Sequence, residues 1–332
     1  MKKFLISCFL FISPYVVLMG GYIYYDPFKV LRHYDNYYVV GDVGAVNRNF
    51  VSTMNYLNKK DQFHYDSFIF GNSRSIFYRI SDWKRHLPEK SVCYHFSESN
   101  GSINGIYYKL RLLDSLHVDI RNALLVIDSS LLRSLEQTHG ANYMTPPALV
   151  NNTNLIQFHA ENFAQWVDFR FLTLWTFYQF TGDYKSYMST FLAKSDNYVY
   201  YDPITNEEKR GKEDSLIACG SYYDSERMKV FQRKSQLHEE SLPVLDEARI
   251  TQLKKMMLLF DKHHSNYRIV ISPLYDQVKI NNQDLEVLNH VFGEDFVFDF
   301  SGKNRWTENY CNYYESSHYL PKVSAEIMDI IY

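Results

Sequence analysis

The sequence predicts an α/β fold, in which a mostly parallel β-sheet lies between two layers of helices. Short apolar runs alternate with amphipathic stretches along the chain, which is the pattern of parallel strands joined by crossover helices. The 332 residues are 46% apolar and 22% charged, so the chain can bury a full hydrophobic core. This composition excludes a disordered tail and a small disulfide-stabilised protein.

Five short apolar runs are the expected strands of the sheet. They are Ser67 to Phe70, Val92 to Phe96, Ala123 to Ile127, Arg268 to Ile271 and Phe296 to Phe300. GSINGIYYKLRLLDSL predicts a helix before the third run, and ARITQLKKMMLLFDKHH predicts another before the fourth. The apolar face of the latter is formed by Ile250, Leu253, Met256, Met257 and Phe260. Because crossovers are right-handed, the strand ends that carry ligands lie along one edge of the sheet.

Residues 131–243 interrupt this alternation. The interval is too long for a simple crossover, so it predicts an insertion or a lid. Its first half is helical and aromatic, and such a stripe either packs in the core or contacts a partner or a glycan. In its second half, YVYYDPITNEEKRG, the residues Asp202, Pro203 and Asn206 suit a turn between two short strands.

The amino terminus predicts a membrane anchor. The 22 residues between Lys3 and Asp26 include no charged side chain, and as a helix they extend about 33 Å, enough to cross a bilayer. Lys2 and Lys3 precede the segment, which keeps its start in the cytoplasm. The alternative is a cleavable signal peptide, but a large residue, Leu18 or Met19, occupies the position where cleavage requires a small one. We therefore expect residues 1–25 to be an uncleaved single-pass anchor and residues 26–332 to be a periplasmic or extracellular domain.

The net charge and the cysteine content limit which partners and bound groups we expect. Lys and Arg number 35 against 38 Asp and Glu, a net charge of −3, so no nucleic-acid partner is indicated. There is no CxxC or HExxH motif, and we expect no metal and no cofactor. Outside the apolar segment, Cys93, Cys219 and Cys311 allow at most one disulfide.

Ser73 is the candidate nucleophile. It follows the first expected strand in DSFIFGNSRSIFYRI, at a glycine-containing turn before an expected helix. Such a turn exposes a hydroxyl at the carboxyl edge of the sheet, beside the free N–H groups of a helix amino terminus. The alternative is an ordinary helix cap, which is also the structural alternative for Asp128 after the third strand. Arg74 follows Ser73 and can hold a substrate carboxylate or phosphate, or form an ordinary ion pair.

Glu315 and His318 are the candidate acid and base. They are three positions apart in NYCNYYESSHYLPKVSAEIMDIIY, before an amphipathic terminal helix. A serine nucleophile needs a base to take its proton, and the base needs a third group on its other ring nitrogen. The alternative is a loop histidine that has a carboxylate nearby by chance.

Together these two segments resemble the SGNH (GDSL-like) hydrolase family. The matching residues are Gly71, Asn72 and Ser73, followed late in the chain by Glu315 and His318. The motifs GNSRS and ESSHY are similar to those of its membrane-anchored branch, which includes D-alanyl transfer proteins of teichoic-acid modification and alginate O-acetylation proteins. The resemblance implies a three-layer, flavodoxin-like sheet. It covers roughly Asp66 to Ser130 and Arg268 to Tyr332, and it leaves the insertion unexplained.

The resemblance also implies roles for individual residues. Ser73 would be the nucleophile, His318 the base and Glu315 the group that orients it. The oxyanion donors would be the N–H groups of Ser73 and Gly101, with Asn100 beside them. Arg74 and Asp128 are possible substrate contacts.

The sequence departs from the family pattern at three places. Asn72 and Glu315 stand where the family usually has Asp. The family's third block supplies an asparagine, whereas this chain has Asp128, Ser129 and Ser130 there. Glutamate is one methylene longer than aspartate, so the loop that carries Glu315 must be retracted to keep the carboxylate near the imidazole.

The resemblance implies a serine-dependent O-acyltransferase, with acetyl as the expected acyl group, or an esterase. Its substrate would be a cell-envelope or extracellular glycan. Its partner would be a membrane-bound O-acyltransferase that exports the acyl unit. One alternative is a catalytically silent scaffold or glycan-binding component of an acylation complex. Another is a lipase with a hydrophobic lid formed by Trp166, Phe171, Leu174 and Trp175.

Overall fold

The computed structural model describes residues 1–44, 46–136, 140–194, 199–231 and 239–332. Its strands are β1 (Ser67–Gly71), β2 (Cys93–Ser97), β3 (Asn122–Ile127), β4 (Val199–Tyr201), β5 (Glu208–Arg210), β6 (Asn266–Ile271), β7 (Val297–Asp299), β8 (Tyr313–Glu315) and β9 (His318–Tyr319). Its α-helices are α1 (Lys2–Tyr25), α2 (Arg48–Phe63), α3 (Ile80–Trp83), α4 (Ile103–Ser115), α5 (Ser129–Arg133), α6 (Leu155–Val167), α7 (Phe169–Thr181), α8 (Gly211–Ala218), α9 (Ser225–Met228), α10 (Glu247–Lys262), α11 (Asn282–Phe292) and α12 (Pro321–Ile331).

The central sheet contains five strands in the order β2-β1-β3-β6-β7, and every neighbouring pair is parallel. The predicted α/β class and its five strands are therefore confirmed. All residues of β1, β2 and β3 are buried, as expected for a parallel sheet covered on both faces. The last strand is shorter than predicted, because Phe296 belongs to a 3₁₀ turn and only Val297 to Asp299 pair with β6.

Helices cover both faces of the sheet. Phe68 and Phe70 of β1 pack into one core with apolar residues of α2, α4, α10 and α11, whereas Ile69 packs into a second core with α3, α12 and the β8–β9 hairpin. This division follows from the two-residue period of a strand. The predicted face of α10 contacts the first core through Leu253, Met256 and Phe260, with Met257 partly buried against it.

The helix α1 is long and apolar enough to span a membrane. Its most apolar 18-residue window has a mean hydropathy of 2.0, and none of that window is buried in the protein. A membrane anchor and a signal sequence both have this property.

The aromatic stripe of the insertion packs around the end of α1. The indole N–H of Trp166 in α6 donates to the carbonyl of Leu18 at 2.9 Å, and the rings of Tyr25 and Trp175 are 4.7 Å apart. Phe171 is buried in the same cluster, so this face of the stripe is core. The opposite face of α7 leaves Phe169 and Phe180 exposed, at 80% and 87%.

The predicted hairpin of the insertion is present as antiparallel β4 and β5. Its turn is stabilised by the Asp202 carboxylate, which accepts from the N–H groups of Ile204 and Thr205, both at 2.9 Å. The hairpin covers the outer edge of β2, because the His95 N–H donates to the Thr205 carbonyl at 2.9 Å. A covered edge cannot pair with another chain.

Candidate active site

Ser73 lies in the turn that follows β1. The preceding Gly71 has φ of +153°, and a Cβ at that position would lie 2.4 Å from the Val126 carbonyl oxygen, so the turn requires glycine there. The Asn72 side chain accepts from the Arg74 N–H at 3.0 Å, and the Ser75 hydroxyl donates to the Asn72 carbonyl at 2.8 Å. These bonds fix the backbone on both sides of Ser73.

The helix expected after Ser73 is instead a three-residue 3₁₀ turn, Ser75–Phe77. The consecutive side chains Ile76, Phe77 and Tyr78 are all buried, and a longer surface helix would expose one of them. The expectation of a helix amino terminus behind Ser73 was therefore wrong. The capping alternative also fails, because Arg74 occupies the cap position of this turn.

The structure brings Ser73, His318 and Glu315 together in one hydrogen-bonded chain. The Ser73 hydroxyl lies 2.8 Å from Nε2 of His318. The other ring nitrogen, Nδ1, bonds to Oε1 of Glu315. The side chains of His318 and Glu315 are 21% and 28% exposed. These hydrogen-bonded groups are therefore partly shielded from water, yet a substrate can reach them.

A tight hairpin positions Glu315 and His318. Glu315 ends β8 and His318 begins β9, and the two residues pair across the turn. The Ser317 N–H and hydroxyl both donate to the Glu315 carboxylate, at 3.0 and 2.8 Å. The turn thus accommodates the extra methylene of the glutamate, as the sequence required.

The environment keeps Glu315 ionised. Burial alone would raise the pKa of Glu315, but hydrogen bonds from His318 and Ser317 outweigh it and lower the pKa to about 2. A carboxylate at this place holds the imidazole in one orientation and stabilises its protonated form. The Phe77 ring, 5.4 Å from the His318 ring, packs beside the imidazole.

The insertion supports this hairpin from outside. The hydroxyls of Tyr222 and Tyr223 donate to the carbonyls of Tyr314 and Tyr313, at 2.9 and 3.0 Å. The Tyr313 hydroxyl donates to the Pro273 carbonyl, also at 2.9 Å. Part of the insertion therefore helps to position the hairpin that carries Glu315 and His318.

Arg74 and Asp128 contact each other. The guanidinium lies 3.4 Å from the buried Asp128 carboxylate, which also accepts from the Asn72 amide at 2.7 Å. Asp128 caps α5 by accepting from the N–H groups of Ser130 and Leu131. Burial raises the pKa of Asp128, but the Arg74 charge and these hydrogen bonds lower it overall. The structure thus contains both of the structural alternatives, the helix cap formed by Asp128 and the ion pair formed by Arg74.

Gly101 lies directly beside the Ser73 turn. A Cβ on Gly101 would be 3.1 Å from the Cβ of Asn72 and 2.5 Å from Oε1 of Glu98, so only glycine fits without a shift. Asn100 is exposed and has φ of +50°. The loop that carries Asn100 and Gly101, which are the expected oxyanion donors, thus lies against the turn that carries Ser73.

Sequence reasoning missed a buried ion pair beneath this loop. Lys109 of α4 and Glu98 are both fully buried and paired, and Glu98 also accepts from the Ser102 N–H at 2.9 Å. The sequence signal that could have revealed this ion pair is a lysine, Lys109, on the same face of α4 as the buried Ile106 and Leu110.

His95 was also missed. It is buried in β2, and its Nε2 lies 3.1 Å from the Ser75 hydroxyl. Burial lowers the pKa of His95 to about 3, so the imidazole is neutral at physiological pH and supports the Ser73 turn through a hydrogen bond.

In the part of the chain that the structure describes, the cysteines form no disulfide and no metal-binding group is found. All four cysteines are free thiols, and burial raises the pKa of Cys93 to about 12. Within the described ranges, no group of three or more His, Cys, Asp or Glu side chains could hold a metal ion.

Comparison with known proteins does not assign the chain. No family model matches the sequence, and no curated protein matches it either.

Proposed function

We propose that the protein is a serine-dependent O-acyltransferase or esterase that acts on an envelope glycan. The observation that carries this proposal is the chain of contacts from Ser73 through His318 to Glu315. A hydroxyl, an imidazole and an ionised carboxylate in this order are the groups that acyl transfer through a serine requires.

The chemistry follows from the positions of these atoms. The Ser73 hydroxyl attacks the carbonyl carbon of an acyl ester or thioester while Nε2 of His318 takes its proton. The tetrahedral intermediate collapses, His318 returns the proton to the leaving oxygen or sulfur, and the acyl group remains on Ser73. A glycan hydroxyl or water then attacks the carbonyl carbon of the acyl-serine and gives its proton to His318. The bond between the acyl group and Ser73 breaks, and His318 passes that proton to the Ser73 oxygen.

The developing oxyanion needs hydrogen-bond donors near Ser73. We assign the N–H groups of Ser73 and Gly101, because Gly101 lies beside the Ser73 turn. Asp128 stands where the family pattern has an asparagine, and it is ionised and paired. The site therefore has one oxyanion donor fewer than the family pattern. The loss of one such donor lowers the reaction rate by a factor of about 10² to 10³.

The fold supports the assignment to the SGNH class. The strand order β2-β1-β3-β6-β7 corresponds to 2-1-3-4-5 among the strands of the central sheet, which is the order of flavodoxin-like sheets. Ser73 follows a strand at its carboxyl end, where such sheets bind ligands.

The proposal also includes a cellular location and a partner protein. With α1 in the cytoplasmic membrane, the domain lies outside, where envelope glycans are found. One apolar helix cannot move an acyl donor across a bilayer, so the donor would come from a membrane-bound O-acyltransferase.

A catalytically silent scaffold is the second candidate. The observation that favours it is the ion-paired Asp128 in place of an oxyanion donor. The lipase alternative has no such support, because Trp166, Phe171 and Trp175 pack around the end of α1.

A complementation experiment separates the enzyme from the scaffold. Cells that lack the protein receive the wild type, Ser73→Ala or the control Ser81→Ala, whose serine is exposed on α3, and the O-acyl content of their envelope glycan is measured. The enzyme predicts loss of acylation in Ser73→Ala alone, at unchanged protein level. Full acylation with Ser73→Ala would establish the scaffold.

A further inference from the structure

The helix α7 is apolar on two opposite faces. One face packs into the cluster around the end of α1 through Phe171 and Trp175. The other face, called here the outer face of α7, carries Phe169, Phe177 and Phe180, whose side chains are 80%, 41% and 87% exposed. Residues 171–182 include no charged side chain. Because a helix that is apolar all round is normally buried in a protein or in a membrane, the outer face of α7 calls for an apolar partner.

The contacts between α6 and α1 show how far the insertion extends along α1. The ring of Phe163 packs against that of Tyr22, with their centroids 5.5 Å apart, and the Trp166 N–H donates to the Leu18 carbonyl at 2.9 Å. Going forward along α6 thus means going back along α1. Leu18 precedes the last residue of α1 by seven positions, which is about 10 Å along a helix. The insertion therefore overlaps the last two turns of α1.

This overlap places α7 at the boundary of a bilayer. The apolar segment of α1 extends about 33 Å, and the hydrocarbon core of a bilayer is about 30 Å thick. When α1 spans the bilayer, the level of Leu18 is therefore at the boundary between acyl chains and headgroups or below it. Phe171 and Trp175 of α7 both pack against Trp166, with ring centroids 6.3 and 5.0 Å away. The ring of Trp175 also packs against Tyr25 at 4.7 Å, so α7 lies at this same level.

Basic side chains surround the same end of α1. The Arg32 guanidinium donates to the carbonyls of Ile23 and Tyr24, and the Lys194 ammonium lies 5.3 Å from the ring centroid of Tyr178 of α7. Arg32 and Lys194 are exposed, and neither has a carboxylate partner among the residues that the structure describes. Cations beside the end of a membrane span are attracted to lipid phosphates. The charge at this end thus complements a phospholipid surface.

We propose that the outer face of α7 lies in the bilayer leaflet that faces the domain and forms a second membrane contact beside α1. Its phenylalanine side chains enter the boundary between acyl chains and headgroups. Arg32 and Lys194 face the lipid phosphates, and the exposed ion pair of Asp168 and Arg170 at the start of α7 remains among the headgroups. Two contacts would fix the orientation of the domain relative to the bilayer, whereas α1 alone would let it swivel.

This inference goes beyond the proposed function. It requires that α1 span the bilayer, but it does not require a reactive Ser73. Labelling of Ser73 and the membrane contact of α7 are measured separately, so either can fail while the other stands.

Photo-crosslinking of the full-length protein measures lipid contact at single positions. The chain is produced with p-benzoylphenylalanine in place of Phe169, Phe180, Val16 or Leu258, and circular dichroism checks that each protein is folded. Each protein is reconstituted into nanodiscs of phosphatidylethanolamine and phosphatidylglycerol, at one protein per disc, and irradiated. Peptide mass spectrometry then measures the fraction of each position that carries a lipid adduct.

Two of these positions are controls. Val16 is exposed within α1 and reports whether α1 is in the bilayer. Leu258 is matched to the phenylalanines, because it is 66% exposed on α10, a helix whose buried face packs into the first core and not around the end of α1. We expect the lipid adducts at Val16, Phe169 and Phe180 to exceed those at Leu258 by a factor of about five or more.

The possible results are distinct. Adducts at Val16, without an excess over Leu258 at both Phe169 and Phe180, would overturn the second contact and leave α1 as an anchor. The absence of adducts at Val16 would overturn both. The same probes are irradiated in the native membranes of the producing cells. Lipid adducts at Phe169 and Phe180 there support the proposal, whereas protein adducts in their place would assign the outer face of α7 to a protein partner and overturn it.

Discussion

The Ser73 hydroxyl and Nε2 of His318 are 2.8 Å apart, although 245 positions separate the two residues in the chain. The first is fixed by the turn after β1, and the second by the β8–β9 hairpin. Two independent elements thus present a hydroxyl and an imidazole to each other at hydrogen-bonding distance. The account of function depends on this contact.

Glu315→Gln should reduce acyl transfer strongly while preserving the fold. The amide keeps the size of the side chain, but it removes the charge that stabilises protonated His318 and orients its ring. We expect the rate of acyl-serine formation to fall by about 10² to 10⁴, measured by stopped-flow with an activated acetyl ester. Glu315→Asp is the control that keeps the charge and should retain more activity. Equal rates for wild type and Glu315→Gln would contradict the assigned role.

The stabilising effect of Glu315 should depend on pH. Its pKa is lowered from 4.5 to about 2 in the folded protein. A carboxylate with a lowered pKa stabilises the fold above pH 4.5, and this stabilisation is lost as pH falls towards 2. Urea unfolding of wild type and Glu315→Gln should therefore differ at pH 7 and converge on approaching pH 2. A difference that does not change with pH would argue against an ionised Glu315.

Gly101→Ala should impair the proposed oxyanion site. The new methyl group would lie 2.5 Å from Oε1 of Glu98 and 3.1 Å from Cβ of Asn72, so the loop must shift. We expect acyl-serine formation to slow by a factor of about 10² or more. The rate is measured relative to the amount of folded protein. Gly20→Ala is the control, because a Cβ there has no neighbour within 4 Å. An unchanged rate would remove Gly101 from the site.

Lys109→Met should destabilise the protein by removing one partner of a buried ion pair. Glu98 would then be fully buried without its ion-pair partner, at a cost of about 3 to 5 kcal/mol in the free energy of unfolding. The double variant Glu98→Gln with Lys109→Met should recover much of this loss. Chemical unfolding of the wild type, of the single variants Lys109→Met and Glu98→Gln, and of the double variant measures the coupling. Additive effects would show that the two side chains do not depend on each other.

The sequence alone predicted the five strands of the sheet and three residues that meet at the candidate site, Ser73, His318 and Glu315. The strands were predictable because β1, β2 and β3 are mostly apolar, as befits strands whose residues are all buried. Their ends were less predictable, because pairing decides them: Asn266 belongs to β6 through its register with Asn122. The hairpin turn around Asp202 was predictable from local turn chemistry.

Other parts of the site depend on contacts between distant segments. The turn after Ser73 is not a helix, because the sheet buries Ile76, Phe77 and Tyr78 together. The partners of His95 and of Lys109 are likewise set by packing and not by spacing.

The most direct test of the central claim is covalent labelling of Ser73. The full-length protein in detergent is treated with a fluorophosphonate, and the modified residue is identified by peptide mass spectrometry in the wild type, Ser73→Ala, His318→Ala and Ser81→Ala. The account predicts one adduct, on Ser73, that is present in the wild type and in Ser81→Ala and absent from the other two. A folded wild type that remains unlabelled, or that is labelled equally well without His318, would contradict it.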